Sequence, residues 1–248
     1  MGVVIGTSGW QYADWKDVLY ATVPQKRWLE HYASVFPSVE INNTFYNLPR
    51  EKTFADWYAR TPAGFEFVCK ASRYITHIRR LVDVSDSIAL FLQRAAPLRD
   101  KLGPILYQLP PTMNRDDEKL RAFLEVLPAW PPVALEFRHD SWYADEVYDL
   151  LRAKGVSLVV ADSPKHRTPL VTTAPWTYIR LHGGEDEASY GREALTMWAA
   201  RLVDLSERVD PVYVFFNNDK AGNAVIDAMS ITEKVRAAGA AVVSLPAA

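Results

Sequence analysis

Short apolar runs recur along this chain and alternate with longer stretches of helical periodicity. Eight of the runs are rich in Val, Ile and aromatic residues. Parallel strands that are covered on both faces have this nearly continuous apolar character. We predict strands at residues 3–6, 39–42, 65–70, 105–108, 133–137, 157–161, 178–182 and 213–216.

The stretches between these runs carry apolar residues at helical spacing. In the first stretch Trp28, Tyr32 and Val35 share one face, and Pro37 ends the pattern. We predict helices over residues 24–36, 50–60, 86–101, 116–127, 145–154, 192–208 and 223–238. Strands that alternate with helices indicate parallel βαβ units. A length of 248 residues is close to the ~250 typical of an eight-stranded barrel. The predicted fold is therefore α/β, a (β/α)₈ TIM barrel, with residues 1–248 forming a single domain.

One unit departs from this alternation. Pro164, Pro169 and Pro175 interrupt residues 162–176, which show no apolar helical period. We therefore expect the helix after the sixth strand to be missing or replaced by a Pro-rich loop. An open doubly wound sheet is the alternative fold, but the segment GTSGW at 6–10 lacks the glycine spacing of a phosphate-binding turn. The absence of this glycine spacing favours the barrel.

Every predicted strand stops on polar residues, and in barrels of this kind the functional site lies at the C-terminal strand ends. Glu40, Glu136 and Arg180 lie within apolar runs, where a charge is costly unless it is paired or used. Because side chains alternate along a strand, these charges are expected to point into the barrel. The predicted cluster contains Glu40, Asn42, Lys70, Gln108, Glu136, Arg138, Asp162, Arg180, His182 and one side chain of the Asn217–Asn218 pair.

Aromatic content is the unusual feature of the composition, with 8 Trp, 12 Tyr and 10 Phe. Most of these rings are expected to pack in the core. Those that follow strand ends could instead form a rim that stacks on a ligand. The predicted rim consists of Trp10, Tyr12, Trp15, Tyr46 and Trp142.

Charge and cysteine usage exclude several classes of protein. The net charge of −2 gives the whole surface no strong attraction to nucleic acid or acidic membranes. The single cysteine, Cys69, excludes an internal disulfide, and alternation turns it away from Lys70. Residues 3–5 are too short an apolar run for a signal peptide, and no run is long enough to span a bilayer. We expect a cytoplasmic protein without membrane or disulfide partners; the sequence does not indicate an oligomeric state.

Seven ordered segments resemble the YecE-like family, domain of unknown function 72, nearly from end to end. The matching segments are GTSGW (6–10) with Tyr12 and Trp15, VEINNTFY (39–46), FEF (65–67) with Lys70, Thr76 and His77, LYQLPP (106–111), LEFRH (135–139) with Ser141 and Trp142, YIRLHG (178–183) and VFFNND (214–219). The resemblance implies a TIM-type barrel. It does not imply an activity.

The residues themselves leave three chemistries open. The first is metal binding: Glu40, Glu136, Asp162 and His182 could hold one Mg²⁺ or Mn²⁺, but no paired histidine motif supports a metal, and we expect no cofactor. The second is carbohydrate hydrolysis, in which Glu40 and Glu136 flank a glycosidic bond. Ion pairs with Arg138, Arg180 or Lys70 would work against it by lowering the carboxyl pKa.

The third chemistry is anion binding, and it fits the residue types best. Lys70, Arg138 and Arg180, with His77 and His182, could grip phosphate or carboxylate beneath the aromatic rim. The leading hypothesis is a site for a nucleotide or a single nucleic acid strand, with hydrolytic chemistry in which Glu40 or Glu136 is the base and His182 the proton-transfer partner. A binding barrel without catalysis is the alternative. We predict Glu40, Glu136 and His182 as catalytic, and as ligand-binding Trp10, Tyr12, Asn42, Tyr46, Lys70, His77, Gln108, Arg138, Trp142, Asp162, Arg180, Asn217 and Asn218.

Overall fold

Eight parallel strands close into a barrel in this computed structural model, which describes residues 2–184 and 188–245. The order around the barrel is β5-β4-β3-β2-β1-β8-β7-β6, and pairing of β5 with β6 closes it. The predicted TIM barrel is therefore confirmed. The barrel strands are β1 (Val3–Ser8), β2 (Ser38–Ile41), β3 (Glu66–Lys70), β4 (Leu102–Gln108), β5 (Val133–Glu136), β6 (Ser157–Ser163), β7 (Thr177–Leu181) and β8 (Val212–Phe216).

Helices surround the barrel and correspond closely to the predicted ones. They are α1 (Trp28–Val35), α2 (Asn43–Tyr46), α3 (Glu51–Ala59), α4 (Ser85–Ala95), α5 (Asp117–Glu125), α6 (Asp145–Lys154), α7 (Gly191–Ser206) and α8 (Asn223–Ala237). The predicted helix over 86–101 is divided: α4 ends at Ala95, and a 3₁₀ helix continues from Ala96 to Lys101. Pro97 is the reason, because its nitrogen cannot donate to the carbonyl one turn earlier. The four-residue α2 was not predicted.

The segment after β6 contains no helix over residues 164–176, as expected from its prolines. A two-residue strand, His166–Arg167, instead turns back and pairs antiparallel with the end of β6. The barrel seam is narrow here, because β5 and β6 share only the pairs Ala134–Ser157 and Leu135–Leu158. Thr168 Oγ1 accepts a hydrogen bond of 2.8 Å from the Ala161 amide, so the loop satisfies part of the exposed edge of β6.

Two apolar layers hold the fold together, one between strands and helices and one inside the barrel. The interior is filled by side chains such as Val68, Leu106, Ala134 and Tyr178. Since successive side chains on a strand alternate between faces, residues two positions further along point into the same interior, nearer its C-terminal end. The next inward side chains are Lys70, Gln108, Glu136 and Arg180.

Outward side chains of the same strands pack in the other layer. Ile41, Phe137 and Leu181 are buried there, and so is Cys69, whose thiol is free. Within residues 2–184 and 188–245, no helix combines the length and apolar character that crossing a bilayer requires.

Candidate functional site

A buried arginine joins two buried glutamates at the C-terminal end of the barrel. Arg180 on β7 is 1% exposed, and Glu40 on β2 and Glu136 on β5 are 0% exposed. Arg180 Nε and Nη2 donate to Glu40 Oε2 and Oε1 at 2.9 and 2.7 Å, a bidentate pair. Its Nη1 donates to Glu136 Oε2 at 2.8 Å. The guanidinium thus bridges carboxylates from two strands that are not neighbours in the barrel.

Further donors complete the surroundings of Glu40. Ser8 Oγ donates to Oε1 and the Tyr178 hydroxyl donates to Oε2, both at 2.7 Å. Neither Ser8 nor Tyr178 was among the predicted site residues. The alternation of side chains contained the signal, because Tyr178 lies two positions before Arg180 and Ser8 ends β1 on the inward face of Val4.

Glu136 is held by two arginines. Besides Arg180, the Arg138 Nε group forms an ion pair with Glu136 Oε1. Gln108 lies beside this group, with its Oε1 3.4 Å from Arg180 Nη1. Arg138 is the outermost member, since its side chain is 19% exposed. Its Nη1 group has no hydrogen-bond or ion-pair partner among the described residues.

The electrostatics keep both carboxyl groups ionised. Burial acts to raise the pKa of Glu136, but the adjacent Arg138 and Arg180 outweigh it and lower the pKa to about 2. Burial likewise opposes ionisation of Glu40, and Arg180 with its hydrogen bonds lowers that pKa below its usual value. A carboxyl group that is ionised throughout the neutral range cannot deliver a proton as a general acid.

His182 lies between Arg138 and Asn217. Arg138 Nη2 is 3.3 Å from its Nε2, and Asn217 Nδ2 is 2.9 Å from its Nδ1. Burial, followed by repulsion from Arg180, lowers the pKa of His182 to about 3. The ring is therefore a neutral imidazole at physiological pH.

Lys70 is the cation of the site that no carboxylate holds. The residue is 8% exposed, and its Nζ lies 4.3 Å from the centroid of the Phe45 ring. Nζ makes no hydrogen bond or ion pair with any residue that the structure describes. Burial, followed by repulsion from Arg180, lowers the pKa of Lys70 to about 8, although Glu136 and Glu40 attract the ammonium.

The site carries an excess of positive charge. Three cationic side chains, Lys70, Arg138 and Arg180, share the barrel top with only two carboxylates, Glu40 and Glu136. Because His182 is neutral, one positive charge remains without a counter-charge at pH 7 among the described members of the site. An anion could supply that counter-charge.

The rim beside Lys70 is aromatic and basic. Tyr46 is 64% exposed, and its ring lies 5.0 Å from that of Phe45, which also contacts His77 at 4.9 Å. Burial and the nearby Lys70 and Arg73 lower the pKa of His77.

Trp10 and Tyr12 line a cavity of about 160 Å³ together with Asn42. Trp10 itself is only 5% exposed, and the Tyr12 hydroxyl donates to the Ser8 carbonyl at 2.7 Å. Asn42 Nδ2 lies 3.4 Å from Asn217 Oδ1, so both amides border the cluster.

Two predicted rim residues lie elsewhere. Trp142 is fully buried, stacks on Phe137 at 4.6 Å and donates its indole N–H to the Met113 carbonyl, so its interpretation as rim was wrong. Trp15, another predicted rim residue, is also fully buried. Both rings pack against the outer layer instead of facing the mouth.

Asp162 and Asn218 point outward from their strands and not into the barrel. Asp162 accepts from the Trp198 indole at 2.9 Å and pairs with Arg167 at 2.9 Å. Asn218 donates to Asp227 on α8 at 2.8 Å. Including Asp162 in the cluster was wrong, and so was the assignment of Asn218 as ligand-binding; Asn217 is the member of the pair that borders the cluster. Asp162 and Asn218 each lie one position out of phase with the inward face of the strand.

With Asp162 on the other side of its strand, the four suggested metal ligands do not converge. No group of three or more His, Cys, Asp and Glu side chains within residues 2–184 and 188–245 is placed to hold a metal ion. The two glutamates of the site already accept hydrogen bonds from arginine.

Comparison with known proteins identifies relatives of the whole chain. Residues 4–248 match the family model described as "Protein of unknown function DUF72". The UPF0759 protein YunF of Bacillus subtilis is 26% identical over 271 residues, which cover 93% of this chain and 94% of that protein. The UPF0759 protein YecE of Escherichia coli K12 is 28% identical, with coverage of 90% and 88%.

Solved structures agree with this assignment. A DUF72 family protein from Thermotoga maritima is 31% identical, covers 95% of this chain and 100% of its own, and superposes with a TM-score of 0.87. A DUF72 family protein from Enterococcus faecalis, at 22% identity, shares the fold with a TM-score of 0.82, and the match covers 98% of this chain and 97% of that one.

Proposed function

Since the chain belongs to the DUF72 family of proteins of unknown function, we propose a function from the site itself: the barrel top binds a phosphate-bearing ligand. The observation that carries this proposal is Lys70, a nearly buried ammonium that no carboxylate neutralises. A buried charge is costly unless it is compensated. A bound anion would provide that compensation.

Arg138 supports the same ligand class. Its Nε is committed to Glu136, and the free Nη1 group belongs to a partly exposed guanidinium. Guanidinium groups bind phosphate oxygens with well-defined geometry, and charge-assisted hydrogen bonds are about twice as strong as neutral ones. A phosphate between Lys70 and Arg138 would meet donors from two sides.

The rim favours a nucleotide or a single nucleic acid strand as the phosphate-bearing ligand. Tyr46 is exposed beside Phe45, which covers Lys70, so a stacking surface lies next to the unpaired cation. Aromatic rings combined with cations are the means by which such ligands are held without a basic overall charge. Arg73 and Arg80, which lie close enough to His77 to lower its pKa, extend the positive potential along the loop after β3.

Proton transfer, if the site is catalytic, falls to Lys70 more readily than to the glutamates. Efficient general acid–base catalysis needs a pKa near the working pH. The pKa of Glu136 is about 2 and that of His182 about 3, whereas that of Lys70 is about 8. Lys70 is therefore the proposed proton carrier, in place of the predicted Glu40, Glu136 and His182. The glutamates would position Arg180 instead.

Carbohydrate hydrolysis has less support. Its general acid would need a carboxyl pKa raised toward neutrality. Glu40 lies in a bidentate arginine pair and Glu136 between two arginines, and both pKa values are lowered.

Calorimetric titration with inorganic phosphate, a mononucleotide and a short oligothymidylate tests the proposal. We expect binding that weakens with salt, and a loss in Arg138→Gln of about 1.5–3 kcal/mol for a charged hydrogen bond, roughly 10- to 150-fold in affinity. Arg152→Gln is the matched control, because Arg152 pairs with Asp149 on the surface of α6. Absence of binding by wild type, or equal binding by wild type and Arg138→Gln, would sink the proposal. Binding without turnover of the oligonucleotide would select the non-catalytic alternative.

A further inference from the structure

Two lysines are buried within the described residues, and the surroundings of their ammonium groups differ. Lys101 is 5% exposed, and its Nζ donates to the Tyr58 and Thr61 carbonyls at 2.7 and 2.6 Å and to Thr61 Oγ1 at 3.1 Å. Lys70 is 8% exposed and has only the face of Phe45. Lys101 therefore has the surroundings of a structural ammonium group, and Lys70 does not.

Lys70 lacks an ion-pair partner because other donors already occupy the two carboxylates of the site. Glu40 is occupied by Arg180, Ser8 and Tyr178, and Glu136 is occupied by Arg180 and Arg138. With its pKa lowered to about 8, Lys70 is a neutral amine in about one-tenth of molecules at pH 7. A desolvated lysine beside other cations is the arrangement that activates an amine as a nucleophile.

The amine also remains reachable. Nζ of Lys70 lacks a hydrogen bond within the described residues, yet it is not among the fully enclosed side-chain atoms of that kind, so it retains contact with the barrel mouth.

We infer that Lys70 is an imine-forming lysine whose substrate is an aldehyde or ketone carrying a phosphate group. The inference rests on the proposed anion site, which would hold the phosphate at Arg138 while the carbonyl carbon meets Nζ. The neutral amine attacks the carbonyl carbon, the carbonyl oxygen leaves as water, and a protonated imine remains. Overall, an ammonium and a carbonyl become an iminium and one water, and the positive charge is conserved.

Conservation of charge matters for this site. The iminium keeps the cation that balances the bound phosphate, so formation of the imine does not weaken anion binding. His77 contacts the same Phe45 ring as Lys70, and its pKa is lowered, so a neutral imidazole is available nearby to take the proton that the ammonium gives up.

Reductive trapping tests the inference. Wild-type protein is incubated with glycolaldehyde phosphate or glycolaldehyde, with cyanoborohydride as the reductant, and the modified peptides are identified by mass spectrometry. We expect Lys70 to be labelled at least tenfold faster than Lys101 or the exposed Lys154, and faster by the phosphorylated aldehyde. The rate of labelling should rise with pH, with a midpoint near 8, because that is the pKa of Lys70. The groups that surround Lys70 and act on its charge are Glu40, Glu136, Arg138, Arg180 and His77.

Lys70→Arg is the control for the label, because it keeps the positive charge but cannot form an imine, and we expect it to lose the label. Phosphate binding by the wild type, measured by calorimetry, separates the inference from the proposed function. If wild type binds phosphate but Lys70 is not labelled faster than Lys154, the imine inference is overturned and the anion site stands. If both aldehydes label Lys70 equally and phosphate does not bind, the anion site and the phosphate-bearing substrate are both overturned, and only imine formation by Lys70 stands.

Discussion

Replacing Arg180 with methionine would remove the shared partner of two fully buried carboxylates. Arg180 makes three hydrogen bonds of 2.7–2.9 Å to Glu40 and Glu136, and all three residues are at most 1% exposed. Methionine has no charge and replaces the unbranched, aliphatic part of the arginine side chain. The substitution therefore leaves two anions in the barrel with most of its volume still filled.

The expected destabilisation is about 3–5 kcal/mol, the range observed when one partner of a buried ion pair is removed. It is not twice that amount, because Glu40 keeps Ser8 and Tyr178 as donors and Glu136 keeps Arg138. For a domain of this size the loss corresponds to a fall in melting temperature of about 6–20 °C.

The loss should depend on pH in a defined direction. In the wild type, the lowered pKa of Glu136 contributes stability that is present above the unfolded value of about 4.3 and is lost as the pH falls toward about 2. Without Arg180, burial dominates and raises the pKa of Glu40. The free energy of unfolding of the variant therefore falls as the pH rises above about 4.3. The difference between the two proteins should be larger at pH 8 than at pH 5.

Urea denaturation at pH 5 and pH 8 measures both effects. The matched control is the triple variant Glu40→Gln, Glu136→Gln, Arg180→Met, in which no carboxylate is stranded, and it should recover much of the lost stability and lose the pH dependence. A loss below about 1 kcal/mol in Arg180→Met, the scale of an exposed ion pair, would refute the assignment of Arg180 as a shared internal counter-ion.

Three further predictions concern single side chains. The ring of His182 should remain neutral by ¹⁵N NMR from pH 8 to pH 5, since its pKa is about 3, and titration within that range would contradict its burial between Arg138 and Asn217. Trp142→Phe should lower the free energy of unfolding by about 1–3 kcal/mol, because the Met113 carbonyl loses its donor, and should leave phosphate affinity unchanged. Weaker phosphate binding at unchanged stability would show that Trp142 contacts the ligand after all. Lys101→Met should lower stability by a similar 1–3 kcal/mol, roughly the cost of unsatisfied acceptors, with phosphate affinity again unchanged, whereas a loss of affinity would contradict its role as a structural lysine.

The alternation of side chains was sufficient to place the central residues of the site. On β2, β5 and β7 a charged residue lies between apolar neighbours. Only one of the two possible orientations of each strand packs the apolar residues against the helices, and that orientation points the charge into the barrel. The same reasoning failed on β6, where Leu158, Val159, Val160 and Ala161 are all apolar and neither phase is marked. Asp162 was assigned to the wrong side for this reason.

Loops and pairings lay beyond that method. Trp142 follows a strand end in a short 3₁₀ helix, where strand periodicity does not apply. Lys70 lacks an ion-pair partner because both glutamates pair with arginines. One of these pairs joins Arg180 to Glu40, which are 140 positions apart in the sequence. Competition between neighbouring cations for one carboxylate is decided by three-dimensional distances.

The bridge formed by Arg180 also bears on how the barrel assembles. Glu40 and Glu136 belong to the first five strands, but their common counter-ion arrives only with β7. A chain folded as far as β5 would hold two interior anions with Arg138 and Lys70 as the only internal cations of the cluster, and its open edge would be the weakly paired side of β5. Glu40 would lack its bidentate partner in such a chain, so this bridge couples the burial of a charge on β2 to the arrival of β7.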